Sequence, residues 1–292
     1  MNRSFLYIIP LVFASLGASH RSRNFIVQAG NQQLARTVAQ QAEVLRDQLA
    51  QQWLGHKLRP WRDKCPIRVR AQPNLPAGGE TSFVFRGKEP GQWQMKIWGS
   101  RQRVLDSVLP HEITHTVFAT HFGQPLPRWA DEGACTTVEA ASERKKHEQN
   151  LIGFLRSNQG IPFARMFALR QYPRNILPLY AQGYSLSRFL IERGGKRQFV
   201  KFVEAGLKNE RWGAAVKQYY SYSDLSDLQL QWNRWVARGS PSLKRSIKPT
   251  PAQDLATRSR NSRVRLVAGT KKVGAKATGN YYLRVTGVGK SK

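Results

Sequence analysis

Acidic residues are scarce in this sequence of 292 residues, which has 18 Asp and Glu against 47 Lys and Arg and a formal net charge of +29. Such an imbalance produces a strong positive field that attracts anionic partners, but charge alone does not choose between nucleic acid, anionic lipid and an acidic envelope polymer. The sequence has no helix-turn-helix, zinc-finger or RNA-binding signature, which argues against nucleic acid. With 40% hydrophobic residues, the chain as a whole is not a disordered protein.

The apolar run of residues 5–18 is too short to cross a bilayer comfortably, since a transmembrane helix takes about 20 predominantly apolar residues. The run is also interrupted by Pro10, follows a basic start and ends in small residues, which predicts a secretory signal over residues 1–19. Arg21 and Arg23 follow the predicted cleavage site, so an uncleaved anchor is the alternative. We therefore expect a secreted protein, or one of the periplasm or cell envelope.

Cysteine is almost absent, with only Cys65 and Cys135 in the chain. In an exported protein, such a pair predicts one disulfide. Two buried free thiols are the alternative. Because neither cysteine lies near the predicted cleavage site, we do not expect lipid attachment.

The stretch with the clearest chemical meaning is His111-Glu-Ile-Thr-His115, which precedes Glu132 in the segment Trp-Ala-Asp-Glu-Gly. Residues four apart on an α-helix lie on one face, so His111 and His115 can bind the same metal ion. Glu112 lies about 100° around that helix, where it can reach a water as a general base without being a ligand. A catalytic zinc usually takes three protein ligands and leaves one position open, and Glu132 is the best candidate for the third.

These two segments resemble the gluzincin metallopeptidases, the group that includes thermolysin and the aminopeptidase N-like enzymes. The likeness is greatest to the peptidase MA-like domains of secreted bacterial proteins and covers roughly residues 24–239. It implies a zincin-like α+β fold, with a small mixed or antiparallel sheet, an active-site helix and a C-terminal helical half. It also implies Zn²⁺ bound by His111, His115 and Glu132, with Glu112 as the base and a peptide or protein as substrate.

The resemblance does not extend to exopeptidase activity. The Gly-x-Met-x-Asn segment that helps aminopeptidases grip a free amino terminus is absent, and the spacer between His115 and Glu132 is slightly shorter than theirs. With three better-spaced ligands present, Cys135 is not expected to bind the metal.

The resemblance assigns two further roles. Aminopeptidase-like gluzincins use a downstream tyrosine hydroxyl to stabilise the oxyanion, and we assign this role to Tyr184, with core packing as the alternative. An antiparallel edge strand lies along the gluzincin cleft and pairs with the substrate backbone, and residues 92–98 are assigned to it. An ordinary strand is the alternative there.

Hydrophobic periodicity predicts the elements around the motif. A helix is predicted over residues 31–54, strands over residues 24–28, 66–71, 81–86 and 92–98, and helices over residues 177–192 and in three later segments up to residue 235. The last two strands form a predicted hairpin. Pro110 indicates either that the metal-binding helix starts there or that a longer helix bends there.

A second helix is predicted to start near Arg128 and to continue to Lys146, with Glu132 on it. Glu139 lies almost two turns beyond Glu132, on nearly the same face. It can accept a hydrogen bond from a ligand histidine and orient it, or it is a solvated carboxylate. Asp131 has the same two interpretations.

The sequence divides into the signal, a predicted zinc peptidase domain over residues 20–240 and a tail over residues 241–292. The tail has thirteen basic residues and one acid, Asp254, among Pro, Ser, Thr and Gly, which predicts disorder. It is either a tether to an anionic envelope polymer or membrane surface, or a solvated extension. A catalytically inactive zincin-fold envelope-binding module and a basic nucleic-acid-binding protein are the alternatives to a peptidase, and the sequence does not indicate an oligomeric state.

Overall fold

The computed structural model of the chain describes residues 17–169, 171–243 and 280–282. The predicted signal over residues 1–19 and the tail over residues 241–292 therefore lie largely outside the described residues. The strands are β1 (Ala18–Arg21), β2 (Phe25–Ala29), β3 (Cys65–Ala71), β4 (Gly78–Arg86), β5 (Glu89–Gly99) and β6 (Asn280–Tyr282). The helices are α1 (Gln32–Leu54), α2 (Arg101–Arg103), α3 (Leu109–Phe122), α4 (Arg128–Thr136), α5 (Ala141–Arg156), α6 (Phe163–Ala168), α7 (Leu177–Asn209), α8 (Trp212–Tyr220) and α9 (Leu225–Ala237).

The strands come mainly before residue 100 and most helices after it, which is the predicted mixture of a small sheet followed by a helical half. One cluster of buried hydrophobic side chains runs from Phe25 to Val236 and joins the two halves. None of the helices in the described part of the chain is long and apolar enough to cross a membrane.

The strands form one mixed sheet in the order β1-β2-β3-β5-β4-β6. Strands β2, β3 and β5 are parallel, whereas β1, β4 and β6 pair antiparallel with their neighbours. The predicted hairpin is confirmed as β4 and β5. The expectation that residues 92–98 form an edge strand is wrong, because β5 pairs with β3 on one side and with β4 on the other. Both hairpin strands alternate in the same way, so their sequences do not show which one joins β3.

Helix α1 covers the sheet as the sequence predicts. The side chain of Asn31 accepts a hydrogen bond of 2.8 Å from the backbone N–H of Leu34, which caps the first turn. Gly55 ends the helix in a left-handed conformation, with φ of 87°. Leu34, Val38 and other residues at helical spacing are buried on a helix that packs against β2 and α3, so α1 supports α3 from behind.

Pro110 lies in the first turn of α3, where a missing backbone N–H costs little. The chain before it is already helical, with α2 leading into a π-helical segment over Val104–Val108. Leu109 continues this path with helical φ and ψ. Both expectations for Pro110 are thus partly met, because α3 starts there and the longer helical path is interrupted just before it.

Helix α4 is shorter than predicted and ends at Thr136, and α5 begins separately at Ala141. The predicted continuous helix to Lys146 is therefore wrong. Three β-branched residues in succession, from Thr136 to Val138, weaken the helix at this point. Glu139 consequently lies in the connection between the two helices.

Helix α4 packs very closely on α7. A Cβ atom at Gly133 would lie 2.2 Å from the carbonyl oxygen of Gly183. The two helices could therefore not come this close together if position 133 carried a side chain. Trp129 is fully buried on the same helix, with its ring 4.3 Å from that of Phe167. The tryptophan and the glycine of the Trp-Ala-Asp-Glu-Gly segment thus fix the helix that carries Glu132.

Candidate metal centre

Helices α3 and α4 bring the three predicted metal ligands together. The side chains of His111, His115 and Glu132 are buried. Oε2 of Glu132 lies 3.5 Å from Nε2 of His111 and 3.8 Å from Nε2 of His115. None of these three atoms has a hydrogen-bond partner among the described residues. Two ring nitrogens and one carboxylate oxygen therefore face a common point inside the protein.

This donor set fits a zinc ion. Buried polar atoms in proteins nearly always have a partner, so three neighbouring ligand atoms without one are suited to hold a cation between them. Tetrahedral zinc with bonds of about 2.0–2.1 Å would place its ligand atoms about 3.4 Å apart. The measured separations of 3.5 and 3.8 Å are close to this value.

The other nitrogen of each histidine meets a carboxylate. Nδ1 of His111 lies 2.7 Å from Oε1 of Glu139, and Nδ1 of His115 lies 2.8 Å from Oδ1 of Asp131. A carboxylate at Nδ1 places the proton there and leaves the lone pair of Nε2 free for a metal. Of the two interpretations of Asp131 and Glu139, the structure supports the orienting one.

The ionisable groups at the centre shift one another's pKa values. Burial alone would lower the pKa of His111, but its contacts with Glu132 and Glu139 raise that pKa well above the ordinary value. Burial also acts to lower the pKa of His115, but the carboxylates of Asp131 and Glu132 together raise it. The pKa of Glu132 is lowered in spite of burial, because both histidines are close to it. A metal ion thus competes with protons for the two Nε2 atoms.

Glu112 lies against the inner face of β4. Its Oε2 accepts a hydrogen bond of 2.6 Å from the hydroxyl of Thr81, and a Cβ atom at Gly79 would lie 2.4 Å from its Oε1. Burial raises the pKa of the Glu112 carboxyl, and His115 and His111 partly offset this effect. The carboxylate is therefore held in place by the strand, next to the three facing atoms but separate from them.

A cleft with an empty volume of about 520 Å³ opens onto this centre. Its lining includes Gly78 and Gly79 of β4, both His111 and Glu112, and Tyr180 of α7. A smaller depression of about 330 Å³ lies on the other side, lined by His115 and by apolar residues that include Phe83 and Leu126. The first space is lined largely by polar and charged residues, and the second also by apolar ones.

Tyr184 does not reach this cleft. Its hydroxyl donates a hydrogen bond of 2.9 Å to Oε1 of Glu148, and Tyr180 lines the cleft instead. The hydroxyl of Tyr180 is buried and has no partner with hydrogen-bond geometry among the described residues. Tyr184 lies one helical turn further along α7, which carries its hydroxyl towards α5. The expected position of Tyr184 in the site is therefore wrong, and Tyr180 takes that place.

Tyr172 is a residue of the centre that the sequence did not single out. It lies in the connection between α6 and α7, and its hydroxyl donates a hydrogen bond to Oε1 of Glu132. The guanidinium of Arg128 lies 4.5 Å from the centre of its ring. No periodic pattern or motif marks this connection, so the sequence offered no signal for Tyr172.

The predicted disulfide is not formed, because Cys65 and Cys135 are both free and buried. Cys65 starts β3 in the sheet, whereas Cys135 belongs to α4, with its sulfur 3.3 Å from Nδ1 of His115. His111, His115 and Cys135 are near enough to form a metal-binding group of their own. However, the sulfur faces the nitrogen that Asp131 already engages, and burial raises the pKa of the Cys135 thiol. Glu132 is the better third ligand.

The structure thus brings together four of the five predicted site residues, His111, Glu112, His115 and Glu132, and places Tyr184 elsewhere. A comparison of the chain with models of known protein families finds no match, and a comparison with curated proteins finds none either.

Proposed function

We propose that this protein is a zinc-dependent peptidase in which His111, His115 and Glu132 hold the ion. The observation that carries the proposal is the convergence of three buried ligand atoms without partners, beside the separate carboxylate of Glu112. A structural zinc site has four protein ligands, whereas these three leave one position open. When bound, zinc supplies Lewis-acid polarisation of a carbonyl and lowers the pKa of a water.

Glu112 is the general base in this proposal. It takes a proton from the attacking water and passes it to the leaving amine. The hydrogen bond from Thr81 and the contact with Gly79 orient its carboxylate. A raised pKa brings the carboxyl nearer to the pH at which it must both accept and return a proton.

Tyr180 is the donor that we assign to the developing oxyanion. Its hydroxyl is buried at the cleft beside the hydroxyl of Tyr172, and it makes no hydrogen bond of standard geometry among the described residues. A donor placed in this way stabilises negative charge that forms only during the reaction.

The substrate is a peptide that pairs with β4, the strand that borders the cleft. Strand addition supplies main-chain hydrogen bonds with little dependence on sequence. Along the outer edge of β4, β6 pairs with Ser82, Phe83 and Val84. The part of β4 next to Glu112, from Gly78 to Thr81, is outside that pairing and is the part that we assign to the substrate.

The proposal includes a zincin-like fold and a place outside the cytoplasm. The mixed sheet followed by helices supports the fold, and the sequence of residues 1–19 supports export. Contact of the basic tail with an anionic envelope polymer or membrane surface belongs to the same proposal.

Metal content is the first test. We expect about one zinc per chain in the purified wild type by elemental analysis and a marked loss in Glu132→Ala, because one of three ligands is removed. Glu112→Gln should retain zinc but lose peptide hydrolysis, since an amide cannot act as the base. A folded wild type that takes up no added zinc would refute the proposal, and peptide hydrolysis by Glu112→Gln would refute the assigned base.

A further inference from the structure

We propose that Tyr172 is a positioning residue that restricts Glu132 to a single ligand oxygen, an inference that rests on the proposed zinc site. The two oxygens of Glu132 have different surroundings. Oε1 accepts the hydrogen bond from the hydroxyl of Tyr172. Oε2 has no partner of hydrogen-bond geometry in the described part of the chain and faces the Nε2 atoms of His111 and His115. The hydroxyl therefore decides which oxygen is available to the metal.

Tyr172 is itself held from two sides. Arg128 lies over its ring at 4.5 Å, and the ring of Tyr180 stacks nearly parallel to it, with an interplanar angle of 9°. Arg128 and Glu132 belong to the same helix, α4. Helix α4 thus supplies both the carboxylate of Glu132 and the guanidinium that packs on the ring of Tyr172. It therefore fixes the position of the Tyr172 hydroxyl relative to that carboxylate.

One ligand oxygen has a chemical consequence. A carboxylate that binds through both oxygens would, with two histidines, fill four positions around the ion. A carboxylate that binds through one oxygen leaves a position for water or for the carbonyl of a substrate. A hydrogen bond to the second oxygen favours binding through one oxygen. Loss of such a hydrogen-bond partner of a ligand typically changes metal affinity 10- to 100-fold.

The variant Tyr172→Phe tests this role, because it removes the hydroxyl but keeps the ring between Arg128 and Tyr180. We expect its zinc dissociation constant, measured by competition with a chelator of known affinity, to rise about 10- to 100-fold. We also expect the visible spectrum of the cobalt-substituted protein to change, since the ligand geometry around the ion changes. A role in folding alone would lower the melting temperature and leave the cobalt spectrum as it is.

Tyr184→Phe is the matched control, because it removes a buried hydroxyl that bonds to Glu148 and to no ligand. It should keep the zinc affinity and cobalt spectrum of the wild type. If Tyr172→Phe also keeps both, this inference is wrong and the zinc site stands. A fall in kcat with unchanged affinity and spectrum would make Tyr172 a donor to the reacting groups and would likewise overturn its positioning role. A wild type without zinc affinity would overturn the inference together with the proposed function.

Discussion

At Gly79 the backbone of β4 approaches the proposed base so closely that no side chain fits between them. A Cβ atom there would lie 2.4 Å from Oε1 and 2.9 Å from the carboxyl carbon of Glu112. Either the carboxylate or the strand would have to move. The position of Glu112 therefore depends on a residue that carries no reactive group.

Substitution of Gly79 by alanine should separate metal binding from catalysis. We expect Gly79→Ala to lower kcat about 100-fold, because displacement of a catalytic group by about 1 Å has an effect of this size. Its zinc content should equal that of the wild type, since the three atoms nearest to the added methyl group all belong to Glu112. Gly91→Ala is the control, because a Cβ atom at Gly91 has no neighbour within 4 Å. Equal kcat in the two variants would contradict the role of Gly79.

The grouping of His111, Glu112 and His115 could be predicted from the sequence because it depends on spacing within one helix. The positions of Tyr172 and Tyr180 could not, because they depend on how the α6–α7 connection and α7 pack against α4. Glu139 is an instructive intermediate case. A continuous helix offers it either a contact with a ligand histidine or a solvated position, and it meets His111 from the connection after Thr136.

Helix α7 contains a sharp break at Gly195, which has φ of 80° and ψ of 168°. Residues with a side chain rarely adopt this conformation, and it costs them on the order of 1–3 kcal/mol. The break divides α7 into two parts, and both lie against α4, since Gly183 and Phe199 each approach Trp129. The sequence predicted separate helices here without predicting that they join at one glycine.

Gly195→Ala should lower the free energy of unfolding by about 1–3 kcal/mol, measured by urea denaturation. Gly213→Ala, within α8, should raise it by about 0.5–1 kcal/mol, because alanine favours a helix and a Cβ atom there meets no neighbour within 4 Å. An equal effect of the two substitutions would show that the break at Gly195 is not strained for alanine.

The proposed zinc site lies where the two halves of the molecule meet. Helix α3 packs against the sheet and α1, whereas α4 packs against α7 of the helical half. The order of the two halves follows from the sequence, because strand and helix periodicities occupy different parts of it. Which strand borders the cleft does not follow from the sequence, since it depends on whether β4 or β5 of the hairpin pairs with β3.

The reactivity of the two buried thiols is a measure of unfolding of the whole molecule. We expect two reactive thiols per chain in denaturant without reductant and almost none in the native protein, because Cys65 and Cys135 are free and fully buried. Zinc should slow native-state labelling, since a ligand that binds only the folded protein stabilises it. The Glu132→Ala variant should show no such protection. Fewer than two reactive thiols per chain in denaturant would instead indicate that the predicted disulfide is present.

The close packing of α4 on α7 bears on which residues of a sequence would indicate the fold and which would indicate the proposed reaction. Trp129 and Gly133 serve the contact between helices, and a relative that had lost its chemistry would need them just as much. The presence of these two residues in a sequence therefore indicates the fold. In the proposed mechanism, the reaction depends instead on a glutamate next to the first histidine and on a glycine at the facing strand position.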